Sequence, residues 1–227
     1  MKVKLISYSQ PVEDLSEEGI DDIQELVAFC ARVSNPTNQM NTASSEKLIK
    51  YLVNNAHWSP LEMVSACMEI VTTRDIARQI LRHRSFSFQE FSQRYADPAL
   101  MGDQFVLREA RLQDTKNRQN SIEIDLNTDE GRQIAYGWEQ MQNRVITEAN
   151  NAYQWAISKG IAKEQARAVL PEGNTISRMY MNGTIRSWIH YIDLRSANGT
   201  QLEHIEIARE IGKAIAKIFP LADEFTN

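Results

Sequence analysis

The sequence is poor in cysteine: Cys30 and Cys67 stand alone among 227 residues, with no paired Cys-x-x-Cys spacing. Two isolated thiols supply neither a disulfide framework nor a zinc ligand set. Long apolar runs are also missing. Met1-Lys2-Val3-Lys4-Leu5 lacks the apolar core of a signal peptide, and no stretch approaches the roughly 20 apolar residues of a membrane span. Positive charge is in deficit, with 25 lysines and arginines against 30 acids, a net charge of -5 and a pI near 5.5. Bulk binding to DNA, RNA or an anionic membrane needs a broad positive surface, so no nucleic-acid or membrane partner is expected. A small anionic ligand stays open, because a local arginine pocket works inside an acidic protein. His57, His83, His190 and His204 form no compact ligand pattern, and no metal is expected. The expectation is a reduced, cytoplasmic protein.

What is present is the composition of an ordinary globular protein, 42% hydrophobic and 24% charged, long enough for one sizeable core. Lys2 to Tyr8 largely alternates polar and apolar residues and reads as a strand. Helices are expected over Asp21 to Val33, with Ile23, Leu26, Val27 and Cys30 inward, and over Ser45 to Asn54, burying Leu48, Leu52 and Tyr51. Leu61 to Thr73 reads as a strand. Thr72, three residues before Asp75, resembles a capping box and would open a helix to about Arg82. Periodicity fails from Ser85 to Tyr95, where an extended or looping segment is expected. Phe105 to Glu109 and Ser121 to Asp125 read as strands around the polar stretch Gln113 to Asn120. The longest helix should run from Asp129 to Ser158, its apolar stripe being Ile134, Trp138, Met141, Val145, Ala149, Ala152 and Ala156. Trp138 and Trp155 would pack this helix, or serve an interface. Shorter helices are expected over Ala162 to Val169, over Thr184 to Asp193, and from a Thr200-x-x-Glu203 capping box to Ile218. With no repeat, low-complexity tract or linker, residues 1–227 read as a single α+β domain.

Chemistry concentrates in Arg74-Asp75-Ile76-Ala77-Arg78-Gln79-Ile80-Leu81-Arg82-His83-Arg84. On a helix Arg74, Arg78 and Arg82 share one face, where like charges repel by a few tenths of a kcal/mol each (about 0.2–0.5). Acidic side chains, water or an anionic ligand must offset them. A solvated basic face is one reading, but Ile76, Ile80 and Leu81 want burial. Downstream, Ser85, Ser87, Gln89, Glu90, Ser92, Gln93 and Arg94 are interleaved with Phe86, Phe88 and Phe91. Such a mixture offers donors for a phosphate, acceptors for a ribose and flat surfaces for a base, and arginine is suited to phosphate by its planar fork.

Arg82-His83-Arg84, followed after seven residues by Ser92, resembles the signature of the flavin-dependent thymidylate synthases. The wider frame agrees: Gln79-x-x-Arg82-His83-Arg84 leads to Glu90-x-Ser92-x-Arg94-Tyr95. His57-x-Ser59-Pro60-x-Glu62, Ala166-Arg167-x-Val169-Leu170-Pro171 and Arg186-Ser187-Trp188-x-His190-x-x-x-Leu194-Arg195, then Gln201-x-Glu203, resemble further family elements in order. Gln89 and Thr184 stand where many relatives carry asparagine, and Met63 where a histidine often follows the glutamate.

The resemblance implies an antiparallel or mixed sheet with a long-helix bundle, assembled as a homotetramer with active sites between subunits. It implies reductive methylation of dUMP to dTMP with FAD, NADPH and 5,10-methylenetetrahydrofolate, releasing tetrahydrofolate. By position, FAD would meet Ser59, Arg82, His83, Arg84, Glu90, Thr184, Arg186 and His190, and dUMP would meet Gln79, Arg82, Glu90, Phe91, Ser92, Gln93, Arg94, Arg167 and Arg195. Arg195 would be catalytic, polarising the uracil ring. His57 would lie beside folate or flavin. His83, between two arginines, would resist protonation and act as a neutral hydrogen-bonding group. Ser92 has no partner base, so phosphate binding suits it better than nucleophilic attack. Cys30 and Cys67 read as small buried residues rather than nucleophiles, and His204 as a surface residue. A flavin- or nucleotide-binding module without turnover is the alternative, and an RNA-binding reading of the Arg/Phe stretch stands behind it.

Overall fold

A computed structural model describes residues 1–225. In chain order its elements are β1 (Lys2–Tyr8), α1 (Glu13–Glu17), α2 (Ile23–Ala31), α3 (Ser45–Asn54), β2 (Ser65–Thr73), α4 (Arg74–Ile80), β3 (Ser87–Glu90), β4 (Arg111–Gln113), β5 (Ser121–Glu123), α5 (Asp129–Ser158), α6 (Lys163–Ala166), β6 (Ile176–Thr184), α7 (Ile185–Ser196), α8 (Leu202–Ala216) and α9 (Ala222–Phe225). The main sheet runs β1-β2-β6-β3, and every pairing in it is antiparallel. Of the antiparallel and mixed alternatives, the structure takes the first.

Alternation decides which face of that sheet is covered. Ala66, Met68 and Ile70 of β2 and Met179 and Met181 of β6 are buried, with Met68 opposite Met181 and Ile70 opposite Met179. Each of the methionine and isoleucine side chains contributes about 1.5–3 kcal/mol by leaving water. Helices α7 and α8 close the same core with Ile185, Trp188, Ile189, Ile192, Ile207, Ile211 and Ile215. Trp188 is fully buried and its indole N–H donates to the Ala66 carbonyl at 3.0 Å, so α7 is pinned across β2 by one side chain. Gly183 serves the same end: a Cβ there would stand 2.4 Å from the Phe86 ring. The missing side chain lets Phe86 lie on β6, which fixes the segment that carries Arg82-His83-Arg84 against α7.

Several expectations are corrected. Strand β2 starts at Ser65, because Ser59–Glu62 coil into a 3-10 turn led by Pro60. Helix α4 is capped by extended Thr73 rather than Thr72, which stays buried in the strand, and it stops at Ile80. The unassigned Ser85 to Tyr95 stretch contains β3, paired to β6. Phe105 makes only an isolated bridge to Thr175, and the strand expected over Phe105 to Glu109 falls at β4 instead, while its partner β5 lies within the expected Ser121 to Asp125. Lys163–Ala166 is α-helical but Arg167–Val169 tightens to 3-10. Helix α7 extends to Ser196 with Thr184 as its cap, the Thr184 hydroxyl accepting from the Ser187 amide. Helix α8 has no side-chain cap; Gln201 precedes it, Glu203 is turned inward, and the helix ends at Ala216. In α3 the buried positions are Ile49 and Leu52, while Tyr51 is exposed and Leu48 half-buried. Cys30 and Cys67 are half-buried, and burial pushes both thiols up.

Helix α5 has the bounds expected, with Thr128 capping it through its hydroxyl to the Gly131 amide. Its apolar stripe is another matter. Tyr153 and Ala156 pack on Ala166 and Leu170 in a small second core and Ala149 is buried, but Ile134, Trp138, Met141 and Val145 are 41–54% exposed. Within the chain the helix packs on α6 and the turn after it, and Gln142 bonds to Arg108 and Asn174, so among the described residues one chain does not form the expected long-helix bundle.

Candidate functional site

The Arg82-His83-Arg84 tripeptide follows α4 directly, in a turn closed by the His83 amide donating to the Ile80 carbonyl. His83 is half-buried, edge-on to Tyr191 of α7 at 4.8 Å between ring centres. Its Nε2 accepts from Arg195 Nε at 2.8 Å, so the ring proton sits on Nδ1 and the imidazole is neutral. Burial first, and then the Arg195 charge, lower its pKa to about 4. The neutral histidine expected from sequence is thus found, but the charge acting on it is that of a residue from α7. On either side Arg82 and Arg84 are exposed, and neither guanidinium has a partner among the described residues.

Of the offsets open to the like charges of α4, acidic side chains serve two of the three arginines. Arg74 lies 3.6 Å from Glu90 and 3.8 Å from Glu172, and Arg78 lies 3.0 Å from Glu172. Acidic side chains therefore offset Arg74 and Arg78, and Arg82, beyond the helix end, is left without a counter-charge. Glu90 also accepts from the Ser177 hydroxyl at 2.7 Å. The Phe91 amide donates to the Arg178 carbonyl, prolonging the β3 edge. Ser92 is half-buried, and Gln93 is buried with its Nε2 unpartnered. Arg94 and Arg167 meet at Glu164: Arg94 Nε stands 3.8 Å from the carboxylate, and Arg167 Nε donates to the backbone carbonyl at 3.4 Å.

A third group joins the Ser59–Glu62 turn to α7. Glu62 is ion-paired with Arg186, and Trp58 lies against His190 at 4.4 Å between ring centres. The His190 pKa is lowered by burial and then by the Arg186 charge. Ser59 and His57 are exposed on this side. Within one chain the structure therefore joins His83 to Arg195, joins Arg186 and His190 through α7 to Trp58 and Glu62, and joins Arg94 to Arg167. Among the described residues no hydrogen bond or ion pair runs directly between these groups.

Sequence reasoning missed the buried chain behind them. His204 is fully buried, not on the surface, because α8 turns it toward α7 and α4. Its Nε2 meets the Tyr191 hydroxyl at 2.9 Å, and its Nδ1 meets Gln79 Oε1 at 3.2 Å. Gln79 Nε2 donates to Gln201 Oε1 at 2.8 Å, and Gln201 Nε2 donates to Glu203 at 2.9 Å. Glu203 is bonded to Arg111 and lies 3.3 Å from Arg108. Burial raises the Glu203 pKa, but the opposing effects of its own backbone N–H, Arg108, Gln201 and Arg111 prevail and hold it below the usual range. The one available signal was the spacing of Tyr191 and Arg195, four apart on one helix face; nothing in the sequence ties Arg108 or Arg111 to Glu203. A cleft of about 840 Å³, lined in part by Lys2, Lys4, Arg108, Arg111, Arg178 and Glu203, lies behind this chain and contains none of the site residues expected from sequence.

An antiparallel α+β sheet with unpaired arginines at the end of a short helix, backed by a neutral histidine and a second-helix arginine, defines a protein built to hold a small anionic molecule. Residues 17–221 match the model of the thymidylate synthase complementing protein family. The chain is 45% identical over 220 residues to a probable flavin-dependent thymidylate synthase of Paramecium bursaria Chlorella virus 1, covering 97% of this chain and 96% of that one. It is 46% identical over 225 residues to the flavin-dependent thymidylate synthase of Synechocystis sp., with the same coverage. Among solved structures, the UMP/dUMP methylase PolB from Streptomyces cacaoi, bound with 5-Br dUMP, is similar with a TM-score of 0.77 at 27% identity, over 99% of this chain and 93% of that one. The chain belongs to the family of flavin-dependent thymidylate synthases.

Proposed function

We infer that this protein, a single catalytic domain, converts dUMP to dTMP by reductive methylation. The carbon comes from 5,10-methylenetetrahydrofolate, which leaves as tetrahydrofolate. The observation that carries the reading is the Arg195–His83 bond between the exposed, unpaired Arg82 and Arg84. A neutral histidine holds Arg195 by one N–H and leaves the rest of its guanidinium free, with two more cations beside it and no carboxylate bonded to any of them among the described residues.

On this reading Arg195 is the catalytic residue. Its charge, aimed at a uracil oxygen, favours the ring form in which C5 is nucleophilic and is worth several kcal/mol (about 3–4) where bulk water is excluded. Gln79, Arg82, Glu90, Phe91, Ser92, Gln93, Arg94 and Arg167 bind the rest of dUMP. The orphaned Gln93 amide suits that role, since a buried donor without an acceptor is costly until one arrives. The residues present also fit FAD: Arg84 is unpaired, and the Trp58–His190 pair gives a flat surface beside Arg186. Ser59, Arg82, His83, Arg84, Glu90, Thr184, Arg186 and His190 would hold it, with His57 at the folate side. FAD, reduced by NADPH, supplies the hydride that completes the methyl group.

Among the described residues Arg94 and Arg167 share no hydrogen bond or ion pair with Arg195, and α5 exposes an apolar stripe. Both observations support a homotetramer in which copies of this chain complete each other's sites. Unpaired Cys30 and Cys67 suit a reducing cytoplasm. The test is the absorption spectrum of the purified protein, followed by anaerobic reduction and dUMP titration. A flavin spectrum that responds to dUMP is expected; a colourless protein that takes up no flavin would overturn the reading.

A further inference from the structure

The buried chain behind Gln79 has a direction, and Glu203 sets it. Its carboxylate is ionised between Arg111 and Arg108 and therefore only accepts. Gln201 must then face Glu203 with its amide nitrogen, which leaves Gln201 Oε1 toward Gln79. Gln79 in turn must donate to Gln201, so its own carbonyl faces His204 Nδ1. His204 Nδ1 must carry the proton, and the bare Nε2 accepts from the Tyr191 hydroxyl. Reversing any one amide would set two acceptors or two donors face to face at part-buried positions, which costs more than the bond it replaces. Two amide protons are left over, the second on Gln201 and the second on Gln79; neither has an acceptor in the protein among the described residues, and that of Gln79 is the one on the helix that leads into Arg82.

We propose that His204, Gln201 and Glu203 are positioning residues that lock the Gln79 side chain so that it presents an N–H, and not a carbonyl, to the nucleotide. Gln79 lies at the end of α4 one turn before Arg82, and the Arg82 amide bonds to its backbone carbonyl. The group it meets must be an acceptor, an oxygen of the pyrimidine nucleotide. In a free glutamine the two ends of the amide are nearly alike in shape, and half of its orientations would oppose two acceptors. Here that choice is removed before the ligand arrives. The inference rests on the dUMP reading given above.

A double-mutant cycle on the flavin-loaded protein tests it, with dUMP affinity measured by calorimetry and flavin content and Tm as controls. Gln79→Ala and His204→Leu are each expected to weaken dUMP binding about tenfold, with flavin content unchanged and the effect in KM rather than kcat. The double variant should bind dUMP no more weakly than Gln79→Ala alone, because His204 acts only through Gln79. Unchanged affinity in His204→Leu, or a double variant weakened about a hundredfold by simple multiplication, would overturn the proposal. Should His204→Leu fail to fold, Gln201→Leu, at a half-buried position, carries the same cycle with the same two outcomes. A wild-type protein that holds flavin yet binds no dUMP would sink the synthase reading itself, which is distinct from loss of coupling in a protein that binds it.

Discussion

A histidine placed between two arginines gains nothing from a proton, and the fold uses that. His83 stays neutral because it is half-buried and because Arg195 donates to it, so the same ring that interrupts a run of cations also aims one. Arg84, exposed and without a partner, is free for an anion. Arg84→Ala should weaken flavin retention ten- to hundredfold, the worth of one charge-assisted hydrogen bond at about 1.5–3 kcal/mol; equilibrium dialysis with FAD checks this, and unchanged affinity would remove Arg84 from the cofactor site. Acid should act on the histidines. His204 is held near pKa 3 by burial, then by Arg195 and His83, and His83 near 4, both below the ordinary value of 6.5. An unfolded chain therefore binds protons that the folded one refuses, and stability should be level above about pH 6.5 and fall as pH drops toward 4. His204 alone sets a slope of up to about 1.4 kcal/mol per pH unit in that window. Urea midpoints measured from pH 8 to pH 4 give the sign directly; a midpoint that rose on acidification would contradict the neutral assignment.

Among elements, α7 bears the heaviest duty, since it carries Arg186, His190, Tyr191 and Arg195 along one helix and is fixed by Trp188. Trp188→Ala should cost about 3–5 kcal/mol by chemical denaturation, from the cavity and the lost bond to the Ala66 carbonyl; a cost below about 1 kcal/mol would mean that α7 is held some other way. Elements governed by local pattern were legible in the sequence. The strand Lys2–Tyr8 and the helices Ser45–Asn54 and Asp129–Ser158 have the bounds that alternation and periodicity predict. What misled was chemistry shared between local and distant uses. Thr200-x-x-Glu203 has the letters of a capping box, but Glu203 is captured by Arg111 and Arg108, arginines that reach it from residues far back in the chain. His204 followed the same error, since a residue after a cap is ordinarily exposed while this one closes on Gln79 and Tyr191. The arginine run was legible as a site because three cations on one helix face need an explanation; that Glu90 and Glu172 supply it for Arg74 and Arg78 is tertiary.

At the scale of the whole molecule the exposed stripe on α5 is the feature a single chain leaves unexplained. Helical spacing of Ile134, Trp138, Met141 and Val145 is a burial pattern, yet these side chains meet water in the monomer. In a homotetramer they would be covered, and Trp138→Glu should shift light-scattering mass toward smaller species with loss of turnover; an unchanged mass would exclude this face from the interface. In the function proposed above, Arg195, aimed by His83, acts on dUMP rather than on the cofactor. The most direct test compares dTMP formed per bound flavin in the assembled wild-type protein and in Arg195→Ala, both reduced without oxygen and given dUMP and 5,10-methylenetetrahydrofolate. The wild type should form dTMP and the variant none while keeping its flavin; equal loss of flavin and product, or dTMP formed at the wild-type rate by the variant, would contradict it.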